Sequence, residues 1–198
     1  MKILGLLGGV ASGKSLVSRQ LAELGAVVLD ADRAGHEALR LPSTEAAARQ
    51  RWGDAVFGPD GHIDRSRLAR IVFAPPPDGP SERKFLEELT HPEIGRRLTA
   101  QAEAKKADSP LAVLDAALIL EAGWDKLCNY LAFIDVPKEV RAARALLRGW
   151  TDEDFSAREA AQESLHSKRT RADVIIDNTG SVEHTKEQVQ RLWQFLVG

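Results

Sequence analysis

Apolar residues concentrate in five short runs, at residues 3–7, 26–30, 111–115, 130–136 and 173–177, each rich in Val, Ile, Leu or Phe. Runs of this length without polar alternation predict strands buried on both faces, so a parallel sheet covered by helices is expected. The stretch after the first run changes period. Val17, Leu21 and Leu24 recur at i, i+4, i+7 and Gly25 follows, which predicts a helix from Ser15 with a glycine stop. Strands alternating with helices define an α/β protein whose ligands sit at the carboxyl ends of the strands.

Two intervals are too long for simple crossovers. Residues 31–106 carry helical patterns at 44–52, 64–73, 81–89 and 92–106 and no convincing strand, with Asp64 placed to cap the second. Pro92 suits a first helical position, so His91-Pro92 reads as a helix start. Three consecutive prolines at 75–77 predict a stiff, extended connector between the second and third patterns. Residues 137–171 hold eight basic residues against six acidic ones, again without a strand. Arg141, Arg144 and Arg148 stand at i, i+3, i+7, which predicts one basic helical face.

Composition narrows the class. The 198 residues carry 27 Lys and Arg against 29 Asp and Glu, a formal charge of −2, so the broad positive field of a non-specific nucleic-acid binder is missing. No run approaches the ~18 apolar residues of a membrane span, and no charged leader precedes the first strand, which predicts a soluble cytoplasmic protein. Cys128 is the single cysteine, so neither a disulfide framework nor a Cys-rich zinc site is available. The five histidines show no i, i+4 pair of the H-E-x-x-H kind.

The chemistry begins where the first strand run ends. Gly8-Gly9-Val10-Ala11-Ser12-Gly13-Lys14-Ser15 satisfies G-x-x-x-x-G-K-[ST] between a strand and a helix, the setting of a phosphate-binding loop. Backbone N–H groups of Gly9, Val10, Ala11, Ser12, Gly13, Lys14, Ser15 and Leu16 are the candidate nucleotide contacts. Lys14 would reach the β- and γ-phosphates, the Ser15 hydroxyl would hold Mg²⁺, and the helix dipole would favour the same anion. Asp30-Ala31-Asp32 ends the second strand. If extended, its two carboxylates point the same way; Asp32 is the candidate catalytic base and Asp30 a cap or support. Arg144, then Arg148, are the candidates to stabilise transferring charge from a lid. Asn178 and Gly180 lie in a turn after the last strand, which either contacts a base or is only a turn.

Taken in order, these pieces resemble the dephospho-CoA kinase family nearly end to end. The resemblance is carried by the glycine loop, Asp30-Ala31-Asp32, Gly61-His62-Ile63-Asp64-Arg65, His91-Pro92-x-Ile94, the 115–121 segment, the Arg144 helix and Asn178-x-Gly180. It implies a P-loop kinase core with a five-stranded parallel sheet at about 1–30, 107–136 and 172–198. A helical CoA-binding insertion at about 31–106 and a helical lid at about 137–171 complete the arrangement. The implied reaction is ATP- and Mg²⁺-dependent phosphorylation of the ribose 3′-hydroxyl of dephospho-CoA, with a nucleoside or nucleoside monophosphate kinase as the alternative. Asp32 would be the base, Lys14 and Arg144 the charge stabilisers, and the Asn178–Gly180 turn would lie beside adenine. His91, Asp115, Leu118 and Glu121 would lie near the acceptor, in a monomer or weak homo-oligomer. Leu7, Ala11, Leu16, Ala117, Leu120 and Arg141 depart from the usual family pattern, Arg141 replacing a glutamine.

Overall fold

The computed structural model describes all residues from Met1 to Gly198. Five parallel strands, β1 (Lys2–Gly8), β2 (Val27–Leu29), β3 (Leu111–Leu114), β4 (Tyr130–Asp135) and β5 (Val174–Asp177), form one sheet in the order β2-β3-β1-β4-β5. The five apolar runs all became strands. β1 lies at the centre, paired with β3 on one side and β4 on the other, and successive strands are added on both sides of it. The loop after β1 therefore opens where the strand order reverses, the usual ligand position in such sheets.

Packing explains the central place of β1. Leu4 and Leu6 point to one face and join Val113, Ile134 and Ile176 under helices α1 (Lys14–Glu23) and α9 (Val182–Val197), whose Val17, Leu21, Val189, Leu192 and Leu196 complete that core. Gly5 points to the other face, where an added Cβ would fall 2.8 Å from both Cys128 Sγ and a Leu131 methyl. Cys128 thus packs as a partly buried apolar group, its thiol pushed up to about 12 by burial and by Asp125. No helix is long and apolar enough to cross a membrane.

The chain divides into two compact units, Met1–Asp30 with Thr99–Gly198, and Ala31–Leu98. The first holds the sheet, α1, α9 and three helices of the basic segment: α6 (Lys138–Leu146), α7 (Asp152–Ala160) and α8 (Leu165–Arg171). The second holds α2 (Ala31–Leu39), α3 (Pro42–Trp52), α4 (Arg65–Val72) and most of α5 (Asp78–Ala104). Its core gathers Ala48, Val56, Phe57, Ile63, Leu68 and Val72. The Gly61–Arg65 motif serves this core. Ile63 bridges Phe57 across a tight turn, and Asp64 caps α4 by accepting from the Ser66 and Arg67 amides.

Three details differ from expectation. Patterns 81–89 and 92–106 are one helix, α5, with Pro92 inside it. Leu86, Thr90, Ile94, Leu98 and Ala102 repeat every four residues straight through the proline and are partly or fully buried, while Pro92 is exposed. The acceptor that the ring deprives of its partner lies on the watered side, so the continuous stripe outweighs the break. Prolines 75–77 stay outside helix but turn at Pro76-Pro77 instead of forming the expected extended connector, and α5 already begins at Asp78 and takes Pro80 into its first turn, where an N–H has no partner to lose. Finally, the backbone does not stay extended through Asp30-Ala31-Asp32: α2 starts at Ala31, so the premise that set both carboxylates on one side fails.

Candidate active site

The loop between β1 and α1 carries the only non-glycine residue with positive φ, Ala11 at 58°, together with Gly13 at 94°. A left-handed alanine costs roughly 1–2 kcal/mol, so contacts from elsewhere must hold it. They act on carbonyl oxygens. Arg141 on α6 donates through Nη1 to the Val10 carbonyl at 3.3 Å, and Asn178 Nδ2 donates to the Ser12 carbonyl at 2.7 Å. Arg144 Nη1 reaches the same Ser12 carbonyl at 3.4 Å, while its Nη2 donates to the Asn178 carbonyl at 2.7 Å.

Because a trans peptide holds C=O and N–H in one plane and pointing in opposite directions, fixing the Val10 and Ser12 oxygens fixes where the Ala11 and Gly13 hydrogens point. Those two N–H groups, with Lys14 and Ser15 at the start of α1, donate to no backbone carbonyl. The result is a concave set of unused donors at a helix N-terminus, suited to an anion. Glycine is required at position 13, since a Cβ there would come within 2.2 Å of Asn178 Nδ2. Val10 and Ala11 are further held by apolar contact with Ala142 and Ala145 of α6, Trp150, and Phe155 of α7.

Charged side chains surround the loop lysine. Lys14 Nζ lies 3.4 Å from the Gly8 and Gly9 carbonyls. Its pKa is lowered, chiefly by burial; Asp115 and Glu121 oppose that shift, and Lys168 and Arg141 add to it. Lys168, 1% exposed, donates to Gln162 at 2.9 Å and pairs with Glu121 at 3.4 Å; Glu121 also accepts from the Glu163 amide. Asp115, half-buried, follows the carboxyl end of β3. At the end of β2, the Gln101 side chain brackets Asp30, accepting from its N–H at 2.9 Å and donating to its carbonyl at 3.2 Å.

The predicted residues separate accordingly. Gly9, Val10, Ala11, Ser12, Gly13, Lys14, Ser15 and Leu16, with Arg144, Asn178, Asp115, Leu118 and Glu121, belong to the first unit; Asp32 and His91 belong to the second. Asp32 is exposed in the first turn of α2, and His91 is half-buried on α5. The Asn178 side chain is committed within the protein, because its Oδ1 also accepts from Thr185 at 2.8 Å, so only Gly180 and the exposed part of the turn remain open to a base. The expected single basic face does not form. α6 ends at Leu146, which leaves Arg148 exposed beyond it, and Arg141 is buried. The sequence pattern set Arg141 on a basic helical face and gave Glu159 and Lys168 no role beyond the charge count of residues 137–171; buried charge is rare and its partners are distant in sequence, so no local signal marks it.

Two features test the fit to a Mg-nucleotide. Ser12 Oγ is buried without a hydrogen-bond partner, so the loop has a spare hydroxyl. Ser15 is exposed at the head of α1, and no cluster of three His, Cys, Asp or Glu side chains exists to hold a metal alone. One hydroxyl with few carboxylates suits Mg²⁺ brought in on phosphates, an ion that keeps several waters.

A strand–loop–helix anion cradle at the switch point of a parallel sheet, with a half-buried lysine and an arginine beside it, defines a P-loop phosphotransferase. The family model for dephospho-CoA kinase matches residues 2–184. A dephospho-CoA kinase of Symbiobacterium thermophilum is 42% identical over 100% of this chain and 82% of its own length, and one of Geobacter sulfurreducens is 39% identical over 98% of both. Among solved structures, the dephospho-CoA kinase from Campylobacter jejuni superposes with a TM-score of 0.71 at 26% identity, covering 98% of this chain and 96% of that one. The chain belongs to the dephospho-CoA kinase family.

Two outcomes follow from this site. Ala11→Gly relieves the left-handed strain and raises unfolding free energy by about 0.5–1 kcal/mol, seen as a higher denaturant midpoint at unchanged slope; a lower midpoint would contradict the strain. A bound polyphosphate favours charged Lys14, so its pKa rises on binding. Nucleotide affinity is then constant below the free-state pKa and falls between that value and the bound one, with net proton uptake in alkaline buffer. Calorimetry in buffers of different ionisation enthalpy reads this directly, and proton release would contradict it.

Proposed function

We propose that this kinase transfers the γ-phosphoryl group of ATP to the ribose 3′-hydroxyl of dephospho-CoA, giving CoA and ADP, the last step of coenzyme A biosynthesis, in the cytoplasm. The observation that carries the phosphoryl-transfer part is the aimed set of loop N–H groups beside Lys14. Acceptor identity is supported by family membership over residues 2–184. In this reading residues 31–106 provide acceptor binding and 137–171 the lid.

Loop amides from Gly9 to Leu16 bind the β- and γ-phosphates, and the turn at Asn178 and Gly180 borders the adenine. Asp32 accepts the 3′-hydroxyl proton as the ribose oxygen bonds to phosphorus and the bond to the ADP oxygen breaks. Lys14 and Arg144 stabilise the charge spread over the moving group, and Arg148 of the lid segment adds to them in this reading. His91, Asp115, Leu118 and Glu121 orient the acceptor. Ser15 would hold Mg²⁺, which when bound neutralises phosphate charge.

ADP formation measured with Mg-ATP and dephospho-CoA, uridine, AMP or no acceptor tests the assignment. Stimulation by dephospho-CoA alone is expected; preference for uridine or AMP would transfer the protein to the nucleoside or nucleoside monophosphate kinases. In the same assay Asp32→Asn lowers kcat by roughly 10²–10⁴-fold while ATP binding stays within about threefold, and full turnover in that variant would remove Asp32 from the base role.

A further inference from the structure

We propose that Arg141 is a positioning residue for phosphoryl transfer, aiming the Ala11 N–H at the nucleotide phosphates and tying the loop to α7 through Glu159. The proposal rests on the kinase reading above. Arg141 is 1% exposed, and its guanidinium is engaged on three oxygens: Nε donates to the Val136 carbonyl at 3.1 Å, and Nη1 donates to the Val10 carbonyl at 3.3 Å and to the Glu159 carboxylate. Phe155 of α7 packs its ring 5.5 Å from the guanidinium carbon. With these partners in place the group serves the loop from its carbonyl side.

Stability alone is a poor reason for such a group. A buried ion pair is often matched or bettered by apolar residues of the same volume, because desolvating two charges offsets their attraction. What an apolar pair lacks is direction. The bond to Val136, one residue past β4, anchors the guanidinium to the sheet, so its Nη1 presents a donor from a fixed base to the Val10 oxygen. Val10 C=O and Ala11 N–H share one peptide plane, and Ala11 is the strained residue of the loop, the point where the chain would most readily rotate away. The close approach is built in from both sides: a Cβ at Gly9 would fall 2.6 Å from Nη1 and 2.9 Å from the guanidinium carbon. Glu159 then makes the position of α7 felt at the same peptide.

The experiment compares wild type with Arg141→Met/Glu159→Met, which removes both charges together and leaves neither unpaired. Dissociation constants for ADP are measured by calorimetry, and kcat and KM by coupled assay. The double variant stays folded by thermal melt, ADP Kd and ATP KM rise roughly tenfold, and dephospho-CoA KM stays within about twofold. A merely structural role would not divide the two substrates in this way. A folded double variant that keeps the wild-type ADP Kd overturns the proposal. If the double variant does not fold, Arg141→Lys decides: one ammonium cannot serve Val136, Val10 and Glu159 with the geometry of a fork, so ADP Kd rises at least about threefold, and an unchanged value overturns the proposal. Wild type is assayed first with dephospho-CoA. Failure there counts against the kinase reading, whereas the ADP comparison tests Arg141 independently of acceptor.

Discussion

The orientation of two peptide planes, Val10–Ala11 and Ser12–Gly13, is the constraint on which the site depends. A loop of small residues has no intrinsic reason to expose its N–H groups to one side, and Ala11 must occupy a left-handed conformation for it to do so. The protein meets this by attaching hydrogen-bond donors to the oxygens at the back of the loop: Arg141 at Val10, Asn178 and Arg144 at Ser12. Because those donors come from α6 and from the turn after β5, the parallel sheet that places β4 and β5 beside β1 is what brings them together. Fold and function meet in that arrangement.

The same arrangement sets the electrostatic surroundings of Lys14. Two cations, Lys168 and Arg141, and two anions, Asp115 and Glu121, act on it, and burial is the largest influence on its proton. Charge that is poorly compensated before a ligand arrives is charge that an incoming phosphate can satisfy, which converts desolvation into affinity for anions. Arg144 extends the principle: its guanidinium is already engaged with the Ser12 and Asn178 carbonyls, so its position is fixed before any ligand arrives.

Much of this was legible in the sequence, for reasons that can be stated residue by residue. Strands buried on both faces announce themselves as unbroken apolar runs, and all five were found. The glycine loop, the helix from Lys14 and the Asp64 cap follow from local chemistry. What escaped involves contacts across the chain. The stripe from Leu86 to Ala102 carries α5 through Pro92, where the local signal reads as a boundary. Helix α2 begins at Ala31, too early for an extended Asp30-Ala31-Asp32. The i, i+3, i+7 spacing of Arg141, Arg144 and Arg148 does not reveal that α6 stops at Leu146, nor that Arg141 turns inward to meet Glu159, eighteen residues on. Asn178 was identified by its turn, while its contact with Ser12, 166 residues away, belongs to the tertiary structure alone.

The most direct test of the carbonyl clamp is the ADP dissociation constant of Asn178→Ala, measured by calorimetry on protein shown to be folded. Loss of the Ser12 restraint leaves a buried carbonyl less well satisfied and frees the Gly13 N–H to turn, so the constant rises tenfold or more, about 1.4 kcal/mol. A folded variant that binds ADP within about twofold of wild type would show that the loop holds its shape without the clamp, and the account of this site would fail.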